Sequence, residues 1–208
     1  LVSARVVGEQ AHLFAPEGAG WRLVHEVEYR ASANGVSFGL HTLSTGGLRH
    51  PAQTSLSLGI NNSGPRIGPV VINEIVYHPL FPAGTEFIEL LNVSTSSVAL
   101  FDAANPSNTW LINGASFQFP TNVTLGVNEL LLVVDTNPDQ FRTNHGVPVA
   151  VQIFGPMGRL GDVGETLELQ RPDAPQLDPI TCLIFAPYTT VDEVGYRSAS
   201  PWPTQPAG

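Results

Sequence analysis

Gly164-Glu165-Thr166-Leu167-Glu168-Leu169-Gln170 alternates polar and apolar side chains from Thr166 onward, the pattern of a half-buried β-strand. The stretch echoes Gly8-Glu9-Gln10-Ala11-His12-Leu13 near the start of the chain. Downstream, Glu26-Val27-Glu28-Tyr29-Arg30 is echoed by Glu193-Val194-Gly195-Tyr196-Arg197. Two anchors in the same order mark an internal repeat. The first copy has almost nothing before it and the second almost nothing after it. The expectation is a window from a longer array of similar β domains, an organisation that serves scaffolds more often than catalysts.

Composition agrees with an all-β chain. Its 208 residues suffice for one large or two small domains. Only 13% are charged, against a usual quarter or so, while 20 glycines and 18 prolines imply many turns. All nine basic residues are arginine, which excludes a Schiff-base or P-loop lysine and a lysine isopeptide. A net charge of −9 with scattered arginines argues against nucleic acid as a partner, because phosphate neutralisation needs clustered positive charge. It also disfavours an anionic membrane surface, and no apolar run is long enough to span a bilayer. Cys182, the one cysteine, lies in the apolar run Ile180-Thr181-Cys182-Leu183-Ile184-Phe185 and reads as a buried core thiol.

Short apolar or alternating runs predict strands over Gln10–Phe14, Trp21–Tyr29, Val36–Leu40, Val70–His78, Glu86–Val93, Val98–Phe101, Thr109–Ile112 and Ser116–Phe119. Further strands are predicted over Glu129–Asp135, Val149–Phe154, Thr166–Arg171, Ile180–Phe185 and Val191–Tyr196. The continuous run Leu130-Leu131-Leu132-Val133-Val134 calls for a strand covered on both faces. One short helix follows Asn137, with Pro138 at its first position and Gly146 as its stop. Gly59-Ile60-Asn61-Asn62-Ser63-Gly64-Pro65 marks a break. Residues 1–60 are then the back half of one unit, 61–69 a linker and 70–208 most of the next. Between Gly164 and Glu193 lie eleven more residues than between Gly8 and Glu26, so the second copy carries an insertion with Pro175, Pro179 and Cys182.

Val70-Val71-Ile72-Asn73-Glu74-Ile75-Val76-Tyr77-His78-Pro79, followed by Glu86-Phe87-Ile88-Glu89-Leu90-Leu91-Asn92, resembles the opening of a lamin tail domain, above all the form in large secreted bacterial proteins. The likeness continues through Leu131–Asp135, Phe141, Gly161–Leu169, Asp192-Glu193-Val194 and Pro201-Trp202-Pro203. It departs where Phe101-Asp102-Ala103 replaces the family's Gly-Trp pair, and in the closing Thr204–Gly208. The resemblance implies an immunoglobulin-like β-sandwich and a noncatalytic module of exported or surface proteins. Residues 8–60 then resemble the end of a preceding copy.

Other motifs compete with plainer readings. Gly35-Val36-Ser37-Phe38-Gly39 matches a nucleophile elbow, but no helix pattern follows and His41 and His50 break the required order of groups. Asp135, Asn137 and Asp139 have the alternate spacing of calcium ligands, although Gln140 and Gly146 stand where an EF-hand wants glycine and glutamate. Helix capping accounts for Asn137 or Asp139 more simply. Glu86 and Glu89 alternate to opposite faces; Glu74 beside one of them offers an edge cation site, or they pair with Arg171 or Arg197. The six histidines lack zinc spacing. Trp21, Trp110 and Trp202 form either core or a sugar-stacking platform. Asn61, Asn92 and Asn122 head glycosylation sequons that a bacterial protein is not expected to use.

The expected protein is thus a noncatalytic structural or adhesive module of an extracellular or cell-surface protein. It acts through strand pairing with neighbouring repeats or copies of itself, with no cofactor and no metal beyond the calcium candidates. The alternative is an accessory carbohydrate- or calcium-binding module of a secreted hydrolase. The orphaned strands of 1–60 are the expected place for function, because open strand edges seek partners.

Overall fold

The computed structural model describes residues 8–33, 35–44, 46–79, 85–178 and 181–200. It is mostly β, with one helix among the described residues. In chain order the first strands are β1 (Gly8–Glu17), β2 (Gly20–Arg30), β3 (His41–Thr42) and β4 (Leu48–Arg49). Next come β5 (Val70–Val76), β6 (Phe87–Asn92), β7 (Val98–Ala99), β8 (Leu111–Asn113), β9 (Phe117–Gln118), β10 (Thr124–Leu125) and β11 (Leu130–Val134). Helix α1 (Pro138–His145) precedes β12 (Gln152–Phe154), β13 (Gly164–Pro172), β14 (Gln176–Leu177), β15 (Ile184–Phe185) and β16 (Tyr188–Arg197).

The chain forms two compact units, Leu1–Arg66 with Pro175–Thr189, and Ile67–Ala174 with Thr190–Gly208. The first break falls inside the expected linker. The insertion between the repeat anchors groups with the first unit, so the division is not the contiguous one expected from sequence.

The second unit holds two four-stranded sheets, ordered β12-β11-β6-β5 and β16-β13-β8-β9. Val70, Ile88, Leu90, Leu131 and Val133 from one sheet share a buried cluster with Ile112, Leu167, Leu169 and Tyr196 from the other. Alternation decides this: along β6, Ile88 and Leu90 are buried while Phe87 and Glu89 face the other way. On β11 both faces are covered. Leu131 and Val133 join that core, whereas Leu132 and Val134 pack with Phe141 of α1 in a second cluster. The continuous apolar run is explained by the helix behind the sheet.

Helix α1 starts where the local chemistry requires. The Asn137 side chain accepts hydrogen bonds from the Asp139 and Gln140 amides at 3.0 and 3.1 Å. Pro138 occupies the first turn, and Gly146 ends the helix with φ 63°.

The first unit has no such core. None of its described Leu, Ile, Val, Phe or Trp residues is buried. Its organiser around residues 39–64 is polar: buried Gln53 donates to the Pro51 carbonyl at 3.0 Å and accepts from the Gly64 amide at 3.0 Å. Its strands pair as the ribbons β1–β2, β3–β4 and β14–β15, and β7 pairs with β10 in the second unit.

Some expectations are corrected. Val36–Leu40 is not a strand; it contributes one bridge, Phe38 to Ala52. Cys182 is exposed, not a core thiol. It follows the β14 end in a turn with φ 56°, where its amide bonds to the Asp178 carbonyl, and its neighbours Leu183 and Ile184 are exposed as well. Apolar composition there does not mark a covered strand. Trp202 and Ile180 lie outside the described residues.

Candidate interaction surface

The β1–β2 ribbon reverses through Gly18-Ala19, a two-residue turn in which Gly18 takes φ 60°. Gly8 pairs with Arg30 at one end and Glu17 with Gly20 at the other. A bulge between Leu13 and Phe14 leaves Val24 as the extra residue on β2. Among the described residues no third strand joins either edge. Leu13 and Phe14 are sequence neighbours and so point to opposite faces, yet both are more than half exposed. Trp21, Leu23 and Val24 on β2 are exposed too. Leu13, Phe14, Trp21, Leu23 and Val24 thus lie open around the bulge, while nearer the Gly8–Arg30 end Tyr29 meets Phe38 and His25 meets His50.

The repeat is reproduced in three dimensions. A Cβ on Gly8 would stand 2.5 Å from the Tyr29 carbonyl oxygen and 2.8 Å from the Arg30 Cα. A Cβ on Gly164 would stand 2.4 Å from the Tyr196 carbonyl oxygen and 2.7 Å from the Arg197 Cα. Both glycines have positive φ, 99° and 115°, so the position demands glycine twice over. In each copy the tyrosine hydroxyl donates to the glutamate that follows the glycine: Tyr29 to Glu9 at 3.3 Å and Tyr196 to Glu165 at 2.7 Å. Tyr196 is buried against Tyr77, with ring centroids 4.4 Å apart; Tyr29 is half-buried, 6.0 Å from Phe38. Both phenols are held above their ordinary pKa, first by burial and then by the adjacent carboxylate.

The copies then diverge. Gly8, Glu9 and Gln10 match Gly164, Glu165 and Thr166 in burial, but Ala11, His12 and Leu13 are exposed where Leu167, Glu168 and Leu169 are buried. In the second copy β8 lies alongside, with Glu168 opposite Asn113, Leu169 opposite Ile112 and Gln170 opposite Leu111. The first copy lacks that strand among the described residues.

The other sequence candidates do not converge. Asn137 spends its side-chain oxygen on two helix amides, Asp139 is exposed in the first turn, and Asp135 donates its amide to the Glu86 carbonyl. Among the described residues no group of three or more His, Cys, Asp or Glu side chains is arranged to hold a metal ion. Ser37 stands in irregular backbone beside the Phe38–Ala52 bridge, and the His50 ring lies tilted against His25, centroids 5.7 Å apart. Glu86 is buried, accepts from the Leu160 amide at 2.7 Å and has Arg159 at 3.5 Å. Glu89 points to the opposite face, lies across from Glu74 and accepts from Asn73 at 2.7 Å. Trp110 is core and Trp21 exposed, so they do not share a platform. The Asn92 amide is consumed by the Ser96, Leu125 and Gly126 carbonyls, which leaves none of it for a sugar. No helix among the described residues is long and apolar enough to cross a membrane.

No family model matches this chain. No curated protein or solved structure is significantly similar to it either.

Proposed function

We propose that this chain is a noncatalytic structural or adhesive module whose second unit is an immunoglobulin-like β-sandwich of the lamin-tail type. It belongs to an extracellular or cell-surface protein and acts through strand pairing with like repeats or copies of itself. The observation that carries this reading is the β1–β2 ribbon: two strands of ten and eleven residues, apolar on both faces and joined by no third strand among the described residues. A lone two-stranded ribbon is marginally stable in water, and an exposed apolar edge is a template for another chain. Exposed apolar patches of this kind mark interaction sites.

Sedimentation velocity over a wide concentration range, with binding of an environment-sensitive apolar dye, tests the reading. The full chain is expected to associate and to bind dye, and Leu13→Lys is expected to weaken both while near-UV circular dichroism of the second unit stays unchanged. A chain that remains monomeric, with dye binding indifferent to Leu13→Lys, sinks the proposal.

A further inference from the structure

We infer that the free edge of β1 is the docking site for the front half of a like two-sheet repeat, a segment ordered as β5–β12 are here. Its counterpart of β8 pairs antiparallel with β1 and sets the counterpart of Ile112 opposite Leu13. This rests on the strand-pairing reading and specifies its partner and register.

Two observations select this occupant. The first is the repeat itself. Gly8, Glu9, Tyr29 and Arg30 reproduce the corner formed by Gly164, Glu165, Tyr196 and Arg197, so β1 corresponds residue for residue to β13. The neighbour of β13 away from β16 is β8, in a register that places Leu169 opposite Ile112. Leu13 is the counterpart of Leu169.

The second is where the copies part. Burial agrees over the first three positions and fails at Ala11, His12 and Leu13. Their counterparts Glu168 and Leu169 are two of the residues that β8 covers. The contacts that the first copy lacks include the strand that covers β13 and what lies behind it.

The segment that covers β13, Leu111-Ile112-Asn113, is itself uncharged, so its counterpart sets no like charge against β1.

The test extends the full chain. A copy of residues 67–156 is placed directly before Leu1, so that the appended copy reaches Gly8 over the spacing that separates Pro156 from Gly164. Cys182→Ser removes the free thiol. Amide exchange at Ala11–Phe14 is expected to slow by about 100-fold or more, as paired core strands do relative to open ones. With Leu13→Cys, a disulfide is expected with Ile112→Cys of the appended copy in preference to Leu111→Cys or Asn113→Cys.

A second extension, carrying residues 67–200 and so able to close on itself, is expected to leave β1 exchanging as in the parent. Protection by that closed copy overturns the inference. So does an appended half that stays unfolded beside an exposed ribbon, since the ribbon is what should complete it. Slow exchange with cross-linking to position 111 or 113, or between two β1 strands, overturns the register and partner but leaves strand pairing standing. A freely exchanging ribbon in a parent chain that neither associates nor binds dye through Leu13 sinks both.

Discussion

The two copies of one motif, β1–β2 and β13–β16, share a corner but not what lies alongside the inner strand. Both have the glycine with positive φ, the tyrosine over it and the glutamate that receives the hydroxyl. In the second copy Leu169 is fully buried; in the first its counterpart Leu13 is 60% exposed. Full burial of a leucine side chain stabilises by about 1.5–3 kcal/mol, so the same sequence position is worth much in one copy and little in the other. Local geometry therefore survives without the core, while the energy comes from tertiary burial.

The comparison is broken most decisively by paired truncations. Leu169→Ala is expected to cost about 2–5 kcal/mol in denaturant unfolding of the second unit. Leu13→Ala should change that transition by no more than about 0.5 kcal/mol. Similar costs for both would mean that the ribbon is packed in solution.

Next in size is the glycine pair. Alanine at Gly164 must hold φ near 115° with its Cβ against the Tyr196 carbonyl, so Gly164→Ala should cost about 1–3 kcal/mol in that transition. Gly8→Ala meets the same clash, but its strain should appear as faster amide exchange in β1–β2 with the main transition unmoved. A drop in the main transition from Gly8→Ala would show that the ribbon folds cooperatively with the core.

A contrast of similar size is expected in the tyrosines. Tyr196 has its phenol held above the ordinary value of 10.0 in the folded state, by burial first and by Glu165 next. Its neutral form is therefore bound more tightly by the folded protein. That stability is fully present below about pH 10 and is lost as the pH rises from there toward the folded value. Thermal unfolding from neutral to alkaline pH should show this decline, and Tyr196→Phe should flatten it at a cost of about 1–3 kcal/mol near neutrality. Tyr29→Phe should leave the second unit's profile unchanged, because Tyr29 lies in the first unit.

Legibility in the sequence followed the range of the interactions. Helix α1 was readable because Asn137, Pro138 and Gly146 act within one turn of their own positions. The two-sided cover of β11 was readable from five consecutive apolar residues, although Phe141 as part of the cover was not. Cys182 misled, because an apolar run says nothing about whether a neighbour exists to bury it. The two-residue strands β3, β4, β10 and β14 left no periodic signal at all, since alternation needs four or more residues to be visible.

The sequence by itself determined the β character, the helix and the repeated Gly–Glu–Tyr corner. Those depend on backbone torsions, caps and alternation, which each residue carries with it. The tertiary structure alone decided that Leu167 and Leu169 are core while Ala11 and Leu13 are surface. It also decided that the insertion groups with the first unit. The reason is that burial belongs to pairs of segments: β13 meets β8, β1 meets no third strand among the described residues, and nothing within either strand announces the difference.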